Sequence, residues 1–114
     1  MRLTPEQATR LLALPIAQRR WLAEQEGAGY WVSPHGVVIG PRGTPRLAGD
    51  GALALSQGWA WAPCDSVAWV RVARLQEVLT PREVVSALVD GRIVDAALDW
   101  LEVDAQAREE AGRE

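Results

Sequence analysis

The run Gly29-Tyr30-Trp31-Val32-Ser33-Pro34-His35-Gly36-Val37-Val38-Ile39 is where the apolar period of this chain changes. β-Branched and aromatic side chains suit a pleated, half-buried surface, and proline and glycine preset a reversal between them. The run therefore reads as strand, turn, strand. Further short apolar runs follow at Ala52-Leu53-Ala54-Leu55, Trp59-Ala60-Trp61 and Val67 to Val72, each bounded by glycine, proline, serine or aspartate. That spacing predicts a small antiparallel meander. Side chains alternate along a strand, so Trp59 and Trp61 would share one face, and Val67, Trp69 and Arg71 another.

Outward from this section the apolar period becomes helical. Thr4-Pro5-Glu6-Gln7 is a helix start, with threonine as N-cap, proline in the first turn and glutamine placed for a capping box. Ala8, Leu11 and Leu12 continue it as an apolar stripe, and Pro15 breaks it. A second helix is expected from Ile16 to Glu26, stopped by Gly27. Thr80-Pro81-Arg82-Glu83 repeats the start signal with glutamate, and Asp90-Gly91 ends that helix. Ile93, Ala96, Ala97, Trp100 and Leu101 outline another, while Ala107 to Glu114 reads as a fraying polar end. The predicted architecture is α+β in one domain over 1–114. Residues 1–27 are helical, 28–73 strand-rich, 74–111 helical, and 112–114 a frayed end.

At 114 residues, 48% apolar and 24% charged, the chain can bury a core of its own. No apolar stretch reaches the roughly 20 residues that span a bilayer. Met1 to Pro5 leads straight into a helix signal without a signal-peptide core, so a cytoplasmic protein without membrane contact is expected. All 12 basic residues are arginine. Through Leu75 there are eight arginines and five acids; from Gln76 onward there are four arginines and ten acids. A mildly basic front thus precedes a strongly acidic section suited to solvation or to a charge-based contact.

Catalytic chemistry is sparse. His35 is the one histidine and Cys64 the one cysteine, which excludes an internal disulfide and a Cys/His metal cluster within one chain. His35 reads as a turn residue. The glycines between 27 and 58 match neither a P-loop nor a dinucleotide fingerprint. Asp95 and Asp99, one helical turn apart, read as solvated. A non-enzyme without catalytic residues, metal or cofactor is the expectation.

Six tryptophans and no phenylalanine leave indoles to fill the core or to form a binding surface. Trp21, Trp69 and Trp100 read as core, and Trp31 is open to either use. Trp59 and Trp61, with Arg42, Arg46, Arg71 and Arg74, form the candidate binding set. Guanidinium groups suit phosphate and stack on indoles, and both side-chain types are enriched at interface hot spots.

The segments Glu26-Gly27, Tyr30-x-Val32-Ser33-x-x-Gly36-x-Val38, Gly43-x-x-x-Leu47 and Val72-x-Arg74-Leu75 resemble the nuclease-associated modular domains beside phage HNH homing endonucleases. The resemblance spans about residues 26–80. It implies a strand-rich module that contacts DNA and leads into a nuclease helix. Ala73 stands where the nuclease version carries histidine, and the chain has no asparagine. The resemblance thus implies a binding module without its nuclease. The expected function is protein–protein interaction, as a small regulator or inhibitor of the kind a phage or other mobile element encodes. The alternative is a DNA-binding accessory module using residues 30–75, and homo-oligomerisation through Trp59 and Trp61 is a third arrangement.

Overall fold

The structure, a computed structural model, describes residues 3–25, 27–36, 38–39 and 50–112. Among these residues ten elements follow in order. The helices α1 (Pro5–Leu12) and α2 (Ile16–Glu24) lead into the strands β1 (Gly29–Val32) and β2 (Val38–Ile39). Helix α3 (Asp50–Ser56) and strand β3 (Ala60–Pro63) come next, then α4 (Ser66–Val72) and the single turn α5 (Leu75–Val78). Helices α6 (Pro81–Val89) and α7 (Ile93–Ala111) complete the chain. The class is α+β: a small antiparallel sheet flanked by helical pairs from both ends. No helix among the described residues is long and apolar enough to cross a membrane.

Both capping boxes form. Thr4 Oγ1 accepts from the Gln7 amide at 3.2 Å, and Gln7 Oε1 accepts from the Thr4 amide at 2.9 Å. Thr80 and Glu83 make the same reciprocal pair at 3.2 and 3.1 Å. Each pair satisfies two amides that a helix start would otherwise leave open. Gly91 ends α6 at φ 71°, and the Arg92 amide reaches back to Ala87 O at 2.8 Å, closing a Schellman motif.

The sheet has the order β2-β1-β3, which departs from the predicted meander. The hairpin of β1 and β2 is as expected, with Trp31 opposite Ile39. β3 then pairs with the other edge of β1, placing Tyr30 opposite Ala62 and Trp31 opposite Trp61. β1 is therefore central, and both faces of the sheet are covered. Tyr30, Val32, Ala60 and Ala62 face the main core with Leu11, Trp69, Ile93 and Leu98. Trp31 and Trp61 face the opposite side, where Ala23 and Leu55 close a second, smaller cluster. Gly29 begins β1 because nothing larger fits: a Cβ there would lie 2.4 Å from Ala62 O and 2.6 Å from the Trp61 ring.

Two runs read as strands are helices, so the section 28–73 is only partly strand. Ala52 to Leu55 lies in α3, where Leu55 is buried and Leu53 exposed. Val67 to Val72 lies in α4. Asp65 caps that helix, its side chain accepting from the Val67 amide at 2.8 Å. Ala68, Trp69 and Val72 are buried at helical spacing, while Val67 and Arg71, expected to share a strand face with Trp69, are exposed. A β-rich composition has yielded to a local cap and to burial of one helical face. α7 is regular helix to Ala111, the end given above for the C-terminal helical section, and it takes in Ala107 to Ala111, whose polar composition read as a fraying end; Arg113 and Glu114 lie outside the described residues.

Candidate binding cleft

α2 is fixed first, because it carries half of the cleft. Arg19, on this helix, is partly buried and faces carbonyls rather than acids. Its Nε donates to Leu14 O at 3.0 Å, and its Nη1 donates to Leu55 O at 3.0 Å and Trp59 O at 2.7 Å. One guanidinium thus ties the α1–α2 junction to the last turn of α3 and to the entry of β3. Burial lowers its pKa from the ordinary arginine value.

The other wall is α7, held against α1 by charge. Arg10 reaches three acids on one face of α7. It bonds Asp99, meets Glu102 Oε1 from Nε at 2.7 Å, and lies 3.8 Å from Asp95. Asp95 also accepts from Gln7 Nε2 at 3.1 Å. The bond to Asp99 is the largest influence raising the Arg10 pKa, with Glu102 adding to it. Asp95 and Asp99, read as solvated, keep 46% and 72% of their side chains exposed and also pair with Arg10 across the two ends of the chain.

Between these helices lies a cleft of about 350 Å³. α2 contributes Gln18, Arg20, Trp21 and Glu24. α7 contributes Trp100, Leu101, Asp104 and Arg108, and Arg74 comes from the junction of α4 and α5. Trp21 and Trp100 are each half-buried against the main core, with part of each ring left at the surface. At the base Gln18 is 5% exposed, and its Nε2 lies 3.4 Å from Asp104 Oδ2. Arg108 Nε donates to the same oxygen at 2.9 Å, so Asp104 is already engaged. Arg74 is the non-glycine residue with positive φ among the described residues, at φ 54° and ψ 37°. For an L-residue this left-handed backbone costs on the order of 1 kcal/mol, and it turns the chain so that the arginine lines the cleft.

The predicted binding set is dispersed. Arg74 lines the cleft, and Arg71 is exposed one turn earlier on α4. Trp61 is 6% exposed and packs edge-on to Trp31, with ring centroids 5.4 Å apart. Trp59 precedes β3, half-buried, so the two tryptophans do not make the shared exposed face. Arg42 and Arg46 lie outside the described residues. Trp69 is fully buried as expected, whereas Trp21 and Trp100 belong to the cleft rather than wholly to the core. Their helical neighbours carried that signal. Arg20 and Glu24 flank Trp21, and Asp104 and Arg108 follow Trp100 at successive turns, so each indole sits on a charged stripe.

His35 borders a separate cavity lined by Leu3, Thr4, Pro5 and Val32, with no carboxylate among its lining residues. Among the described residues no group of three histidine, cysteine, aspartate or glutamate side chains could hold a metal ion. No family model, curated protein or solved structure matches the chain, so the cleft is read on its own geometry.

Proposed function

We propose that this is a non-enzymatic binding protein that engages a protein partner through the cleft between α2 and α7. The observation that carries the reading is the convergence of Trp21 and Trp100, both half-buried, with three arginines, from α2, from the junction of α4 and α5, and from α7. Tryptophan and arginine dominate interface hot spots because a rigid indole and a planar guanidinium lose little freedom on binding relative to the contact each makes. The role proposed for it is that of a small regulator or inhibitor. DNA binding by the 30–75 section is the weaker reading. Its candidate side chains in described positions do not converge on one face, since Trp61 is 6% exposed and packed on Trp31 while Arg74 lines the cleft.

The test is affinity capture from native lysate with the parent chain and with Arg20→Glu, an exposed substitution. A protein retained by the parent and lost by the variant is the expected result. Equal retention by both, or retention of nucleic acid alone that is released by salt, overturns the proposal.

A further inference from the structure

Size and charge at the cleft restrict what it can hold. About 350 Å³ is near the small end of ligand sites, which run from roughly 300 to 1,000 Å³. It admits one or two side chains and a short piece of backbone. The indoles of Trp21 and Trp100, with Leu101, supply an apolar wall.

The polar groups differ in what they have left to offer. Arg108 is engaged with Asp104, which also receives Gln18. The guanidinium groups of Arg20 and Arg74 make no hydrogen bond or ion pair with any described residue. Glu24 is the one lining acid outside the Asp104 cluster. In a chain of net charge −3, two uncommitted guanidinium groups beside two indoles form a local site for negative charge. The backbone at Arg74 is a second, independent pointer. Glycine would adopt its left-handed conformation without strain, yet the residue present brings a guanidinium to the cleft.

We infer that the cleft takes a short acidic segment of a partner protein, with an aliphatic or aromatic side chain seated against Trp21 and Trp100 and a neighbouring aspartate or glutamate paired with Arg20 and Arg74. The inference rests on the protein-binding reading and narrows it to one class of ligand. Arginine suits the role because its fork meets a carboxylate through two parallel hydrogen bonds.

The experiment selects a randomised heptapeptide library on the full chain, with each peptide fused at its C-terminus so that only side-chain carboxylates can be chosen. The expected consensus places aspartate or glutamate next to leucine, methionine, phenylalanine, tyrosine or tryptophan. The synthetic consensus peptide should shift the indole N–H resonances of Trp21 and Trp100 and leave that of Trp69 in place. Arg74→Gly should fold with an undiminished unfolding midpoint, since the backbone strain is relieved. Its affinity for the peptide should fall about tenfold or more, the loss expected of a charge-assisted hydrogen bond. Replacing the peptide's acids by their amides should have a similar effect. A consensus that is uncharged or basic overturns the acidic assignment, as does binding indifferent to Arg74→Gly. If capture of a partner still depends on Arg20 in that case, the protein-binding reading stands without it. Absence of any enriched peptide, together with partner capture indifferent to Arg20→Glu, overturns both.

Discussion

Arg19 joins three separate parts of the backbone through one side chain. Its three acceptors are main-chain carbonyls at Leu14, Leu55 and Trp59, from three separate places in the chain. Removing the donor takes one bond from each of those carbonyls in a partly buried setting, though Leu55 O keeps the Gly58 amide at 3.2 Å, and a buried acceptor left unpaired costs more than the net value of its bond. Arg19→Met, which keeps much of the aliphatic stem, is expected to lower stability by about 2–3 kcal/mol in urea unfolding. Arg19→Lys should recover only part of this, because an ammonium cannot present the same planar fork. No sequence pattern disclosed this role. Arginine on a helix beside Arg20 reads as one more surface charge until the carbonyls of Leu55 and Trp59 are brought to it.

At the scale of elements, the caps and the hairpin were legible, and the apolar runs at Ala52 to Leu55 and Val67 to Val72 were not. α6 has no buried residue among its nine, so its start rests largely on the Thr80–Glu83 box. The bond to the Thr80 backbone, then that to its side chain, holds the Glu83 carboxyl below the ordinary glutamate value near 4.5. A depressed carboxylate pKa contributes stability that is present above the unfolded value and is lost as pH falls through the folded one. Helicity of α6 is therefore expected to weaken on acidification below about pH 4.5, and hydrogen exchange of the Thr80 and Glu83 amides measures it. Glu83→Gln keeps an acceptor without the charge and should flatten that dependence. The box was readable because all its contacts lie within four residues. Val67 to Val72 was not, since its Val-Ala-Trp-Val-Arg-Val pattern fits a strand by composition and a helix by burial, and only packing against the core and α7 chooses between them.

Across the whole molecule, the first and last helices are joined. Arg10 on α1 faces Asp95, Asp99 and Glu102 on α7, and Gln18 on α2 reaches Asp104. The acidic section is thus a solvated surface that also joins α7 to α1 by ion pairs, with the Gln18–Asp104 contact linking it to α2 at the base of the cleft. Arg10→Ala removes a 31% exposed cation and leaves three acids together. Its expected cost is about 1 kcal/mol at low salt, shrinking as salt screens both the lost attraction and the new repulsion. Thermal unfolding of the parent and variant across a salt series checks this; a loss that grows with salt contradicts it.

The amino-acid sequence by itself determined the helix starts at Thr4 and Thr80, the stop at Gly91, the hairpin from Tyr30 to Ile39 and the mixed α+β class. Each depends on residues close together in the chain, where backbone chemistry leaves few choices. Tertiary structure alone decided that residues 50–56 and 66–72 are helical, that β3 joins the free edge of β1, and that Trp61 turns inward. It also decided that Trp21 and Trp100 share a cleft with Arg74. These outcomes turn on which apolar faces meet across long stretches of chain, and the free energy of burial that selects them is shared among residues no local pattern connects.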